Sequence, residues 1–393
     1  MGKWIECTIG DIGTVVGGAT PSTKKPENYE NGHIAWITPK DLSGFSGRYI
    51  SRGERNITET GLNSCSTQLL PKNSVLFTSR APIGYVAIAE NEVCTNQGFK
   101  SVIPNEKTDY MFLYYLLKYN KENIENMGSG TTFKEVSGNT MKGISVKVPE
   151  DINEQRTIAA ILSSIDDKIE LNNCINKNLY ESVAALYAST FQNVNQKITT
   201  VDYYAERIYS GGTPTTSNSD YWNGNLGWLS SGETRKRFIT NTEKTITQLG
   251  ADNSSTRLAS KYDIVIASAG QGLTRGQTSM LLLDTYINQS VLVIHADKTV
   301  LPFIFWNLAN RYDELRAISD SSSIRGSLTT KTIASFEIPL ANPEDLQKFS
   351  EFAWSIIPMI ENNLLENQRL EAIRNVLLPR LISGEIDVSE IDI

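Results

Sequence analysis

The sequence predicts an α+β fold: two similar mixed α/β bodies separated by an antiparallel pair of long coiled-coil helices, related as a pseudo-twofold internal repeat. Three observations predict it. A set of short motifs recurs about half a chain later, the blocks that carry it are cut into short β-rich runs, and a heptad pattern follows each block.

The repeat comes first along the chain. Gly17-Gly18-Ala19-Thr20-Pro21, then Tyr29, Asn31-Gly32 and Trp36, returns as Gly211-Gly212-Thr213-Pro214, then Tyr221, Asn223-Gly224 and Trp228. Gly84 and Thr95-Asn96-Gln97 return as Gly276 and Ile287-Asn288-Gln289. A unit this long is a duplicated domain, because solenoid repeats run to about 20–50 residues. Two such bodies suit a protein that holds two similar things at a fixed separation. Residues present in both copies, Trp36 and Trp228 or Asn96 and Asn288, are expected to be scaffold: core aromatics and side-chain to backbone bonds.

Within each body, Ser74–Thr78, Tyr85–Ala89, Ile264–Ala267 and Val291–Ile294 are rich in β-branched and aromatic residues and bounded by turn formers, so they read as strands. One helix per body is expected, around Tyr110–Lys118 and Pro302–Tyr312, the second opened by its proline. A strand ending in proline closes each body, at Val146–Pro149 and Phe336–Pro339.

After each closing proline the apolar period changes. Ile158, Leu162, Ile165, Ile169, Asn172, Asn176, Leu179, Val183 and Leu186 alternate at four- and three-residue spacing. Phe349, Ala353, Ile356, Ile360, Asn363, Asn367, Leu370, Arg374 and Leu377 repeat the pattern. These are coiled-coil seams, and the asparagines at matching places point to two helices that meet in one register. Pro358 should kink the second helix or mark an N-terminal turn, and the helix should end around Pro379–Gly384. A helix of ~30 residues is ~45 Å long, against ~34 Å for one turn of B-DNA. The pair would therefore hold the bodies about one turn apart, a span that fits any bivalent ligand of that length.

Composition bounds the partners. The net charge of −7 is unevenly distributed: residues 1–150 hold 16 Lys/Arg against 15 Asp/Glu and residues 196–340 hold 14 against 13, while 151–195 and 341–393 carry −3 and −6. Each body is thus slightly positive, and the local field governs nucleic-acid binding more than the chain total. Cys7, Cys65, Cys94 and Cys174 lack CxxC spacing, with only His33 and His295 to join them, so buried free thiols and no metal site are expected. No run approaches the ~18 apolar residues of a membrane span, and the N-terminus lacks a signal-peptide core. The expected location is cytoplasmic, with no membrane partner. No methyltransferase Asn-Pro-Pro-Tyr motif, Walker A lysine loop or nuclease carboxylate–lysine cluster is present. Gly270-Gln271-Gly272 begins like a dinucleotide fingerprint, but Arg275 stands where its third glycine should be.

The whole chain resembles the specificity (S) subunit of type I restriction-modification systems. The resemblance rests on the GG-x-TP opening with its tryptophan strand, the elements ending at Gly84 and Gly276, the Asn-Gln pairs, the Ser/Gly-rich segments Gly128–Thr132 and Ser321–Ser323, and the Leu381–Ile386 terminus. It implies target-recognition domains at 1–150 and 196–340, a first spacer helix at 151–195, and a second spacer helix with C-terminal tail at 341–393. It also implies a non-catalytic DNA-recognition subunit, each domain reading one half of a bipartite double-stranded target. The helices would set the gap and dock two modification (methyltransferase) subunits through Ile158, Leu162, Ile165, Ile169, Asn172, Asn176, Ile356, Ile360, Asn363, Asn367 and Leu370. S-adenosylmethionine would belong to those subunits, ATP and Mg to restriction subunits, and no cofactor to this chain. The competing reading is a coiled-coil adaptor with two protein-binding modules.

Base reading draws on Arg or Lys for guanine and Asn or Gln for adenine, with phosphate contacts from cations. The candidate DNA-binding residues are Lys24, Lys25, Lys40, Arg48, Arg52, Arg55, Arg80 and Lys134 in the first body. In the second they are Arg235, Lys236, Arg237, Arg257, Gln271, Arg275 and Arg325. Arg80 and Arg275 lie on equivalent strand–loop elements at displaced positions, which would make the two half-sites differ.

Overall fold

The computed structural model describes residues 2–130, 134–192, 197–270, 274–321, 326–389 and 391. They form two compact units, residues 1–170 with 368–393, and residues 171–367. The divisions fall inside the long helices, so each unit contains one end of both.

In the first unit a five-stranded sheet runs in the order Gly13–Gly17, Lys100–Pro104, Val75–Ser79, Ile83–Ala89, Tyr49–Ile50, the last strand parallel to its neighbour and the others antiparallel. Val75–Ser79 is buried along its whole length, as expected of a central strand covered on both faces. A second sheet orders Arg55–Ile57, Ile34–Ile37 and Cys94–Thr95, and Trp4–Thr8 pairs with Ser145–Pro149 to close the body. The helix Tyr110–Tyr119 starts where Asp109 accepts from the backbone N–H groups of Met111 and Phe112, both at 2.9 Å. Its apolar face packs Phe112, Leu113 and Leu116 on Val75, Phe77 and Ile88, and the same core takes Ile158 and Leu162 from the first long helix and Leu381, Ile382 and Val388 from the C-terminal end.

The second unit repeats this topology. Its large sheet orders Ala205–Ser210, Val291–Ala296, Ile264–Ala267, Thr278–Leu281 and Phe238–Ile239, again with the last pair parallel. Its small sheet orders Lys244–Ile246, Trp222–Leu229, Thr285–Ile287 and Arg257–Ala259, one strand more than its counterpart. Ile198–Thr200 with Glu337–Pro339 closes the body. The expected helix spans Leu301–Ala309 with Pro302 in its first turn, and a separate helix follows at Tyr312–Ser321. Val183, Tyr187 and Phe191 of the first long helix and Phe349, Ala353 and Ile357 of the second complete the core.

The long helices span Ile152–Phe191 and Pro343–Ile382, 40 residues each, or ~60 Å rather than the expected ~45 Å. The second runs through Pro358 without interruption. Pro358 is exposed, so the ring and the Trp354 carbonyl it leaves without a helical donor can face solvent instead of the core. The seam residues Ile158, Leu162, Ile169, Asn172, Ile360 and Asn367 are buried. Ile165, Asn176, Asn363 and Leu370 are half-buried, and Ile357 takes the buried place expected for Ile356. Pairing is antiparallel: in the second unit Asn172 meets Asn367 and Asn176 meets Asn363, bonded at 2.9 and 2.8 Å. In the first unit Arg374 occupies a seam position and donates to Asp166 at 2.6 Å, while the Tyr115 hydroxyl donates to the other oxygen of Asp166 at 2.7 Å. Burial and the adjacent Asp166 charge push the Tyr115 phenol far above its usual range.

Of the cysteines only Cys94 is buried; Cys7 and Cys65 are half-buried and Cys174 is exposed on its helix. Among the described residues no His/Cys/Asp/Glu group could hold a metal ion, and no helix is long and apolar enough to cross a membrane.

Candidate nucleic-acid interface

The repeated motifs form the frame on which the variable loops stand. Trp36 donates from Nε1 to the Ala19 carbonyl at 3.1 Å, and Trp228 to the Gly212 carbonyl at 3.2 Å. With Thr20 aligned on Thr213, these acceptors are equivalent. Both threonine hydroxyls bond the glutamine of the Asn-Gln pair, Gln97 or Gln289. Asn96 and Asn288 fold their side chains back to accept from the N–H of Gly98 and Ser290 at 2.8 and 2.9 Å. Any side chain on Gly18 or Gly211 would run into backbone oxygens of Thr95 and Asn96 or of Ile287. Gly84 and Gly276 hold φ of +96° and +87°, a region that favours glycine. These residues are committed to backbone geometry.

On this frame, one acid per unit pins the loop between strands. Asp41 accepts from the N–H of Thr38 and of Glu54, each at 2.7 Å. Glu233 accepts likewise from Ser230 at 2.9 Å and Glu243 at 2.8 Å. The device is shared while the cations differ. Lys40 sits in the first loop, paired with Glu54 at 2.6 Å, which raises its pKa. Arg52 is exposed beside it, and the Arg55 guanidinium lies 4.2 Å from the Tyr29 ring centre. Arg235 and Lys236 are exposed on the second loop. Among the described residues Lys24, Lys25, Arg52, Lys134 and Arg235 form no ion pair.

A second cluster surrounds the Gly84 and Gly276 elements. Arg80 and Lys100 share Glu135, at 3.2 and 3.4 Å. In the second unit Arg275 and Arg316 share Asp320, the latter at 3.2 Å. Two cations per carboxylate leave each site net positive and able to exchange the carboxylate for a phosphate or base acceptor. Arg80 is more available than Arg275, at 35% against 13% side-chain exposure. Lys100 and Arg316 were not among the sequence candidates. Lys100 opens a strand, Lys100–Pro104, with no polar–apolar alternation to mark it.

Two expected readers bond to distant parts of the chain, Arg48 while buried and Arg237 while still exposed. Arg48, at 5% exposure, donates to Glu170 from Nε at 3.0 Å and from Nη2 at 3.2 Å, and also pairs with Asp167. It faces the first long helix rather than solvent. Arg237 donates at 2.9 Å to both the Tyr180 hydroxyl and the Ala309 carbonyl, its guanidinium 4.6 Å from the Tyr180 ring centre. In both cases the sign of the charge was legible and the distant partner was not. Arg257 lines a cleft of about 480 Å³ with Tyr209 and Arg207, a further cation the sequence reading passed over. Gln271 and Arg325 lie outside the described residues, as do Thr131, Thr132, Ser322 and Ser323.

Residues 1–181 match the type I restriction modification DNA specificity domain. The specificity subunit of the type I restriction enzyme MjaIX of Methanocaldococcus jannaschii is 32% identical over 414 residues, covering 99% of this chain and 94% of that protein. The HindI specificity subunit of Haemophilus influenzae is 23% identical over 483 residues, covering 98% of this chain and 100% of that protein. In fold the chain is similar to the crystal structure of a type I restriction-modification S subunit from M. genitalium, with a TM-score of 0.61 at 17% identity, covering 97% of this chain and 96% of that one.

Proposed function

Because this chain belongs to the specificity subunits of type I restriction-modification systems, we propose that its two bodies each read one half of a bipartite DNA target across a gap set by the long helices. The chain is the non-catalytic, DNA-recognising component of such a system. On this reading residues 1–150 and 196–340 are the target-recognition domains, 151–195 is the first spacer helix, and 341–393 the second with its tail. The observation that carries the reading is one sheet topology present twice, with equivalent loops holding different cations. A shared frame with Lys40 and Arg52 on one loop and Arg235 and Lys236 on the other presents different donors to two different half-sites. Lys24, Lys25, Arg55, Arg80, Lys100 and Lys134, with Arg257 and Arg275, complete the contact set. The helices dock two modification subunits, which bind S-adenosylmethionine and methylate adenine; restriction subunits supply ATP- and Mg-dependent cleavage.

The test is to assemble the chain with its modification subunits, methylate a random duplex library and sequence the modified adenines. A two-part motif with a fixed gap is expected. Exchanging residues 196–340 for those of a relative should replace one half of the motif only, and replacement of both halves or neither would refute the division of labour.

A further inference from the structure

Glu170 and Glu361 hold the same place in the two long helices, each directly after a buried seam isoleucine, Ile169 or Ile360. Each receives a cation from the sheet body of its own unit. Arg48, at the entrance to Tyr49–Ile50, reaches Glu170 at 3.0 Å. Lys261, in the turn before Ile264–Ala267, reaches Glu361 at 2.6 Å. The two cations come from different loops, so the repeat preserves the acidic anchor and supplies its partner by separate routes. Removing Lys261 leaves Glu361, 13% exposed, as a poorly solvated charge without its partner, and removing the buried Arg48 leaves Asp167 and Glu170 side by side without their shared cation.

We propose that Arg48–Glu170 and Lys261–Glu361 are latches that fix the angle of each body on its helix and thereby determine which gap lengths are accepted. The proposal rests on the reading of the chain as a two-part DNA reader. Arg48 and Lys261 are positioning residues, and neither reads a base. A body of ~150 residues has a radius of gyration of about 15 Å, and turning it by roughly 13° about the latch moves a point ~15 Å from the latch by ~3.4 Å, one base-pair rise. Small angular freedom is enough to blur the gap without touching any reading loop.

The test uses the full chain assembled with its modification subunits and duplexes carrying fixed half-sites with gaps one base pair shorter, cognate and one longer. For Arg48→Ala and Lys261→Ala the discrimination between gaps should fall about tenfold, equivalent to ~1.4 kcal/mol, with base preference inside each half-site unchanged. The charge-exchanged pair Lys261→Glu with Glu361→Lys should restore discrimination, and Arg48→Lys, which keeps a cation beside Asp167 and Glu170 but not the forked bonds, should restore it in part. If Arg48→Ala fails to assemble, Lys261→Ala, whose lysine is 37% exposed, carries the same test. Unchanged gap discrimination in the alanine variants overturns the proposal, and so does altered base preference at the first half-site with the gap intact. A wild-type complex with no two-part preference at all would instead refute the underlying reading.

Discussion

Asn172 donates from Nδ2 to Oδ1 of Asn367 at 2.9 Å across the long helices, and Asn367 in turn donates to Asn173 at 2.9 Å. Glu366 accepts a second bond from Asn172 at 2.8 Å. A leucine layer would gain apolar burial but pack in more than one register, whereas this bonding pattern exists in only one. Asn172→Ala should therefore cost about 1–3 kcal/mol in urea unfolding, because it strips a partner from the buried Asn367. Leucine at both positions should raise the melting temperature while widening the range of accepted gaps. A single variant as stable as wild type would deny the layer a structural role.

Arg80 and Arg275 differ in availability, and the difference predicts unequal phenotypes. Arg80→Ala should weaken binding by about 1–3 kcal/mol and relax base preference only at the half-site read by residues 1–150. Arg275, more enclosed and tied to Asp320, should on replacement by alanine loosen its own loop as well and lower the melting temperature. Competition binding against half-site variants, with salt titration, checks both. Uniform weakening across all sequences and a salt slope lower by about one unit would make Arg80 a phosphate contact.

The antiparallel register dictates where the helices can be lengthened. A heptad inserted after Glu170 and another after Gln368 both fall between the Asp166–Arg374 pair and the Asn172–Asn367 pair, so the asparagine pairs stay matched. Seven residues at ~1.5 Å each add ~10 Å, about three base pairs at ~3.4 Å. The target gap should grow by that amount with both halves unchanged. Retained methylation at the original gap would show that the helices are not the ruler.

Burial pushes the Cys94 thiol up to about 11 and raises Cys7 as well, whereas Cys174 is exposed. The thiolate is the reactive form, so at pH 8 iodoacetamide should label Cys174 and spare Cys94. The sign of the linkage is set by the unfolded chain, whose cysteine ionises near its ordinary value while folded Cys94 stays neutral. Stability contributed by the neutral thiol is complete below that value and declines as pH rises toward 11. Peptide mapping at pH 8 and 10 checks the labelling, and early modification of Cys94 at pH 8 would contradict the packing.

The heptads were legible because a seam needs only apolar spacing, which one strand of sequence records. Helix length was less so: the first and last turns take their partners from the sheet bodies, as Ile158 and Leu381 do in the first unit's core, and no local pattern reports that. Pro358 does not mark the helix's N-terminal turn, because the helix already begins at Pro343. Among the candidate contacts, residue type marked Arg52 and Arg80 as readily as Arg48. What separates them is burial against Asp167 and Glu170, residues far along the chain that only folding brings near.

The first unit is closed by residues 368–393, with Leu381, Ile382 and Val388 in its core and Trp4 against Gly384. During synthesis the stretch 171–367 is therefore complete while the amino-terminal body still waits for its last pieces. At ~5–20 residues per second the wait from residue 170 to residue 393 is roughly 10–45 s. The amino-terminal body therefore carries an unfinished apolar face in its oldest part until residues 368–393 have been made.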